Sequence, residues 1–406
     1  MDSIQQQLQV TFRYPVYFTT GLFAASNPLL RDVVTSDADR TPADVVAIAD
    51  RGVVDAHPNL LADVQRYLQL HREVLRLAGP TLVVPGGEAV KNDTRHVDDI
   101  LRAIQAAGLC RHSYVFAIGG GAVLDVVGYA AATAHRGVRL IRIPTTVLAQ
   151  DDSAVGVKNG INAFGKKNYL GTFAPPSAVI NDFSFLTTLI DRDWRGGISE
   201  AVKAGLIRDA AFFDYIEAHA AELKARDLAV MEHVIRRSAA LHLAHIATGG
   251  DPFELGSSRP LDYGHWAAHK LEQLTGYEMR HGEAVAIGIA LDTTYAWLSG
   301  FLPERDWMRV IEVFRALGLA IYAPELGAHA DDETHPACVL GGLAEFREHL
   351  GGELTIMLLK GIGQPFDVHE IRRDTMVRSI AVLKTIAAGG PVTAALNVEG
   401  PASSRP

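Results

Sequence analysis

The chain reads as an α/β protein, a parallel-sheet domain followed by a mostly α-helical one, and three observations predict this. Short β-branched runs alternate with longer amphipathic stretches through the first half. A glycine triplet, Gly119-Gly120-Gly121, ends one such run and opens a helical pattern. From about Ile198 onward helical periodicity takes over almost throughout. A length of 406 residues fits two or three domains. The pattern places them at 1–190 and 191–388, with a Gly-, Pro-, Ser- and Ala-rich tail at 389–406 expected to be mobile.

In order, Asp44–Asp50 reads as a strand and Pro58–Gly79 as a helix stopped by Gly79-Pro80. Thr81–Val84 is the next strand, Asp93–Gly108 the next helix, and Tyr114–Ile118 a strand running into the glycines. Val138–Ile143 closes the set at Pro144. The second half predicts helices over Ser199–Phe213, Ala221–His245, His265–Leu274, Gly282–Trp297 and Glu304–Leu317. Leu354–Leu359 with Pro365–Val368 reads as a hairpin before a last helix over Glu370–Ala388.

Composition narrows the function. With 48% apolar and 21% charged residues the chain can bury a large core. Its 38 basic against 47 acidic residues give a net charge of -9, and no Lys/Arg block tracks a phosphate backbone, which argues against a nucleic-acid partner. An anionic ligand must then be held by a few cations placed in a pocket. Two cysteines cannot make a disulfide framework, and neither a signal-peptide pattern nor a membrane-length apolar run is present, so a soluble cytoplasmic protein is expected.

The glycine triplet, between a strand and the helix containing Asp125, offers backbone N–H groups and a helix start to a pyrophosphate; a tight structural turn is the competing reading. Leu124 stands where the dinucleotide fingerprint wants a further glycine. In Pro85-Gly86-Gly87-Glu88-Ala89-Val90-Lys91, Glu88 and Lys91 suit ribose hydroxyls and phosphate, or else form a solvated helix start. Asp50 ends another strand with the chemistry to accept ribose hydroxyls, and Pro144-Thr145-Thr146 ends a fourth on the same edge. Together these suggest a dinucleotide.

The stretch from Gln150 to Gly171 gathers Asp152, Lys158, Lys167 and Asn168 where a loop is expected to close over substrate, and Arg136 adds a forked cation; solvated surface charge is the alternative. In the helical half, Glu200 and Lys203 share a face by i,i+3 spacing, and His265 and His269 lie one turn apart. Glu200, His265 and His281 would make a two-His, one-carboxylate set suited to zinc, leaving His269 for acid/base work; hydrogen-bonded core histidines are the alternative.

The ordered series Gly-Gly-Gly with Asp125, Arg136-Gly137, Pro144-Thr145-Thr146, Asp152-Ser153-x-Val155-Gly156-x-Lys158, Lys167-Asn168, Glu200-x-x-Lys203, Gly264-His265-x-x-x-His269 and His281-Gly282-Glu283 resembles the 3-dehydroquinate synthase superfamily of sugar-phosphate cyclases over roughly residues 45–385. The resemblance implies a Rossmann-like N-terminal domain holding NAD and a helical C-terminal domain carrying one divalent metal, zinc or cobalt. It also implies an active site in the cleft between them, and a homodimer. On it, Glu200, His265 and His281 fall on the metal ligands, and His269 on the histidine that assists proton transfer. Asp152, Lys158, Lys167, Asn168, Lys203 and Arg136 fall on substrate and phosphate contacts. Asp50, Glu88, Lys91, Gly120, Gly121, Asp125, Thr145 and Thr146 fall on NAD contacts. The implied chemistry is transient oxidation, phosphate elimination, re-reduction and an intramolecular aldol closure, with NAD regenerated.

Departures bear on the substrate. Members acting on the acidic seven-carbon sugar carry Asn before the aromatic-Gly-His motif and Arg four residues earlier; here these are Asp262 and Ser258, with Arg259 displaced by one. A further lysine of that carboxylate site is missing near His242 to His245, and an Asp-Lys-Lys stretch aligns with Phe346-Arg347-Glu348-His349. Asp262 and His349 resemble the sedoheptulose 7-phosphate cyclases of the 2-epi-5-epi-valiolone synthase type. The expected activity is therefore a cyclase on sedoheptulose 7-phosphate. The alternatives are 3-dehydroquinate synthase, a metal-dependent polyol dehydrogenase and a non-catalytic NAD-binding scaffold.

Overall fold

The computed structural model describes residues 3–38, 41–249, 251, 253, 260–349 and 352–391, the side chain of His349 excepted. The chain forms two compact units: one runs to Thr145 and includes Gly156–Ser184, and the other joins Thr146–Val155 to the chain from Phe185 onward.

The first unit contains strands β1 (Val16–Thr19), β2 (Ala43–Asp50), β3 (Leu75–Leu77), β4 (Leu82–Val84), β5 (Tyr114–Gly119), β6 (Arg139–Pro144), β7 (Lys158–Ala163), β8 (Lys166–Phe173) and β9 (Ala178–Asp182). Its helices are α1 (Leu29–Asp37), α2 (Arg51–Ala56), α3 (Leu60–Leu70), α4 (Thr94–Ala106) and α5 (Gly121–Thr133). The main sheet is parallel, in the order β1-β9-β6-β5-β2-β3, with β4 beside the end of β2. Every residue of β5 and β9 is buried, which is why β5 reads as an apolar run rather than as an alternating pattern. The chain leaves β2 for β3 and β4 and then returns across it to β5. The strand order therefore reverses between β2 and β5, where open α/β sheets bind ligands.

The helix predicted over Pro58–Gly79 stops at Leu70, and Leu75–Leu77 pairs with Ala43–Val45 as a strand. A short apolar run satisfies either periodicity, and burial of Leu75 in the sheet decides the matter. The expected closing loop is replaced in this unit by an antiparallel hairpin, β7 with β8, turned at Phe164-Gly165 with both residues at positive φ (54° and 73°) as a two-residue hairpin turn requires. Arg142, buried in the middle of β6, fastens the hairpin by donating to the carbonyls of Gly156 and Lys158 and to Oδ1 of Asn159, each within 2.7–2.8 Å.

In the second unit the helices are α6 (Asp191–Gly196), α7 (Ile198–Arg208), α8 (Ala210–Ala218), α9 (Ala220–Lys224), α10 (Leu228–Thr248), α11 (His265–Leu274), α12 (His281–Leu298), α13 (Glu304–Leu317), α14 (Pro324–Gly327), α15 (Gly341–His349) and α16 (Arg373–Ala387). Two predicted helices are each broken once. Asp209 caps α8 by accepting from Phe212 N–H, and Asp227 caps α10 by accepting from Val230 N–H. Helix α12 is buried on nearly all sides and forms the core against α7, α11, α13 and α16. The predicted hairpin is β10 (Ile356–Gly361) with β11 (Gln364–Val368). The expected tail lies outside the described residues from position 392. Among the described residues, no helix is long and apolar enough to cross a membrane.

Candidate functional site

In the first unit, Asp50, Gly119 and Thr145 meet at the C-terminal edge of β2, β5 and β6, because the register pairs Ala49 with Ile118 and Gly119 with Pro144. Asp50 accepts from Gly52 N–H at 2.8 Å and so caps α2. A Cβ on Gly119 would stand 2.9 Å from Asp50 Cβ, and one on Gly86 2.8 Å from its carboxyl carbon, so both glycines are required for this close approach. Gly120 caps α5 with no side chain in the way, and the N–H groups of its first turn face the strand-end edge. The Thr145 hydroxyl is buried there without a hydrogen-bond partner, an orphan that a bound polar ligand would satisfy.

The turn from Gly86 to Asn92 is no solvated helix start. Lys91 is 2% exposed and its ammonium donates to Asp125 Oδ2 at 2.7 Å and to Asn168 Oδ1, with Glu88 3.8 Å away. Lys158 opens β7 on the surface, Lys167 is half-buried on β8, and Asn168 follows it in the left-handed region (φ 53°). Arg136 does not join this group within the unit. It is exposed on the turn before β6, at the strand-start edge, with a positive φ of 62°.

The second unit gathers Glu200 (α7), His265 (α11) and His281 (α12), with one ligand atom of each within 4.8 Å of the others. His265 Nδ1 lies 3.1 Å from the Tyr263 carbonyl and His281 Nδ1 3.1 Å from Glu272 Oε2. Both acceptors fix the proton on Nδ1, so each Nε2 presents a lone pair. Those two Nε2 atoms face Glu200 Oε1 at 3.5 and 3.3 Å. Two lone pairs aimed at a carboxylate oxygen repel unless a cation lies between them, and the Glu200 oxygens accept no hydrogen bond although Oε2 lies in ion-pair contact with Lys203. The donor set therefore fits a divalent metal. His269 stands beside it, its ring 5.5 Å from His265 and 6.0 Å from His281.

Charge around this set is uneven. Burial opposes ionisation of Glu200, but the Lys203 ammonium beside it holds its pKa well below the ordinary range. Burial likewise pulls the Lys203 pKa down, yet Glu200, Asp152 and Asp262 raise it above its ordinary value. Asp152 lies in a single π-helical turn, Ala149–Ser153, closed by Ala154 N–H to Ala149 C=O, and is 2.7 Å from Nδ1 of His242 on α10. Its neighbour Asp151 is fully buried with neither oxygen hydrogen-bonded, and burial, Asp152 and Glu200 push its pKa well up. Thr146 belongs to this unit, where its hydroxyl accepts from Ala149 N–H. Asp262 ends a short 3-10 turn within electrostatic reach of Lys203. Ser258 and Arg259 lie outside the described residues. So does the His349 side chain, whose backbone ends α15.

Sequence reasoning missed Glu272, Asp292 and His242. Asp292, wholly buried on α12, accepts from Gly264 N–H at 3.0 Å and from Trp266 Nε1 at 2.8 Å and so fixes the start of α11. Gly264 has φ 78°, and a Cβ there would meet the Ile289 nitrogen at 2.6 Å. The only signal for Glu272 is its position one turn beyond His269.

A strand-end crevice in the parallel-sheet unit and a two-His, one-carboxylate cluster in the helical one make up the candidate site. The 3-dehydroquinate synthase N-terminal and C-terminal family profiles match residues 81–196 and 197–334. A 3-dehydroquinate synthase from Nitrosospira multiformis is 40% identical over 303 residues, covering 73% of this chain and 80% of the relative. The chain belongs to the 3-dehydroquinate synthase family of sugar-phosphate cyclases. The solved 2-epi-5-epi-valiolone synthase of Streptomyces hygroscopicus subsp. jinggangensis 5008, with NAD+ and Zn2+ bound, superposes with a TM-score of 0.82 at 29% identity, covering 94% of this chain and all (100%) of that one. A 2-deoxy-scyllo-inosose synthase shares the fold at a TM-score of 0.71 and 22% identity, over 90% of this chain and 95% of its own.

Proposed function

We propose that this protein is an NAD- and metal-dependent cyclase that converts a neutral-ended seven-carbon ketose phosphate, sedoheptulose 7-phosphate, into a valiolone-type carbocycle. The observation that carries the substrate choice is the charge around Lys203: three carboxylates, Glu200, Asp152 and Asp262, act on its one ammonium, and the hydrogen-bond partner of Asp152 is an imidazole, His242. A substrate carboxylate brought into such surroundings lacks compensating charge, whereas hydroxyls find acceptors.

When bound, NAD+ supplies a reversible hydride acceptor and the divalent metal, zinc or cobalt, a Lewis acid for adjacent hydroxyls. Glu200, His265 and His281 hold the metal. Asp50, Glu88, Lys91, Gly120, Gly121, Asp125, Thr145 and Thr146 hold the nucleotide. Lys158, Lys167 and Asn168 bind phosphate, and Lys203 stabilises negative charge as it develops. His269 and Asp152 move protons and orient hydroxyls. Asp262 and His349 contact the sugar. A chain with only two cysteines fits a reducing cytoplasm, where the protein acts as a homodimer.

A second reading, 3-dehydroquinate synthase itself, is favoured by the 40% identity to an enzyme of that name. Comparing kcat/KM for phosphate release from sedoheptulose 7-phosphate and from 3-deoxy-arabino-heptulosonate 7-phosphate, with NAD+ and Zn2+ or Co2+ present, separates the two. Preference for the neutral-ended sugar by roughly tenfold or more is expected, that being about 1.4 kcal/mol of discrimination. Efficient turnover of the acid with none of the neutral sugar overturns the proposal and leaves the second reading.

A further inference from the structure

Asn162 sits on β7, 6% exposed, with every side-chain polar atom engaged. Its Nδ2 donates to Glu88 Oε1 at 3.2 Å and to Asn92 Oδ1 at 2.8 Å, and its Oδ1 accepts from the backbone N–H of Asn168 at 2.8 Å. Asn168 in turn accepts from Lys91, and Lys91 donates also to Asp125 on α5. One buried amide thus ties the turn carrying Glu88 and Lys91 to the point on β8 where Lys167 and Asn168 project.

That tie matters because β8 is an exposed strand held on β7 by its ladder. Six of its eight residues are exposed, so the strand has few apolar contacts of its own and belongs to the low-stability end of the unit. β7, by contrast, is buried along most of its length and anchored by Arg142 and Asn159. Asn168 takes the left-handed conformation, which asparagine adopts more readily than most L residues. The Asn162 carbonyl oxygen holds the backbone there by accepting the Asn168 N–H.

We infer that Asn162 is a positioning residue that couples occupancy of the Glu88–Lys91 turn by a nucleotide to the placement of Lys167 and Asn168 on the hairpin. The inference rests on the reading of this edge as the NAD site. A ligand that orders Glu88 and Lys91 orders the hairpin through Asn162, and by linkage an anion bound at the hairpin tightens the nucleotide by the same factor.

Amide hydrogen exchange on the full-length, zinc-loaded protein with and without NAD+ tests this. In the wild type NAD+ should slow exchange at residues 119–125 and also at 166–170. In Asn162→Ala the first protection should persist and the second be lost, and the KM for sugar phosphate should rise about tenfold with kcat changed much less. Asn162→Asp keeps the acceptor for Asn168 N–H but replaces the donor facing Glu88 and Asn92, so it should behave as the alanine variant does. Hairpin protection and KM like those of the wild type in Asn162→Asp would overturn the coupling. Protection at 119–125 without hairpin protection in the wild type, or hairpin protection undiminished in both variants, overturns it as well. No protection at 119–125 in the wild type overturns the cradle reading itself, and the inference falls with it.

Discussion

In the first unit the charged groups at the nucleotide edge are paired with one another, Lys91 with Asp125 and Asn168, and Asp50 with the N–H of Gly52. In the second unit the Glu200 oxygens and both oxygens of Asp151 are buried with no hydrogen bond, and two imidazole nitrogens point at one of those carboxylates. The nucleotide edge is thus largely satisfied within the chain, the Thr145 hydroxyl apart, whereas the second unit keeps buried carboxylate oxygens and imidazole lone pairs that a cation would satisfy. Metal loading should therefore change the stability of the protein far more than NAD+ does.

The most severe way to break this contrast is a matched pair of substitutions. His281→Ala removes a proposed metal ligand and should abolish stoichiometric metal by elemental analysis. It should also lower turnover by roughly 10³-fold or more, as loss of several kcal/mol of Lewis-acid stabilisation implies, while NAD+ binding by calorimetry stays near the wild-type value. Lys91→Ala should do the reverse, weakening NAD+ and costing about 1–3 kcal/mol of stability from the broken pair, with metal content intact. Parallel loss of both ligands in either variant would contradict the separation of roles.

A smaller effect sharpens the account of why the metal centre holds its shape. Burial pushes the Asp292 pKa up to about 7 against the N–H donors of Trp266 and Gly264. The folded state then keeps a proton that the unfolded chain releases near its ordinary pKa of 3.8. Stability from this group is therefore present at low pH and is lost as pH rises through about 7. Between pH 5 and 8 the wild type should lose about 2–3 kcal/mol from this source, measured by urea unfolding, and Asp292→Asn should flatten that component. An identical pH slope in the variant would remove Asp292 from the explanation.

What was readable in the sequence followed from local periodicity. Glu200 and Lys203, and His265 and His269, announce themselves because one helical turn separates each pair. The sheet core was legible as apolar runs, and the glycine triplet as a strand-to-helix turn. Asp292, His242 and Asn162 were not legible, because each acquires its role from a partner 28, 90 or 74 residues away. Strand β3 was absorbed into the preceding helix for a related reason, since only its pairing with β2 shows it to be a strand. Arg136 was legible as a cation but not in its placement, which the connection from α5 into β6 sets at the far edge of the sheet.

The central claim is that nucleotide and metal serve a ring closure without net oxidation. Inorganic phosphate and NADH absorbance followed together during turnover of sedoheptulose 7-phosphate by the NAD+- and Zn2+-loaded protein test it most directly. The account predicts phosphate release over many turnovers with substoichiometric NAD+ sufficing and NADH not accumulating. NADH rising in step with substrate consumed, with no phosphate released, would contradict it and make the protein a dehydrogenase.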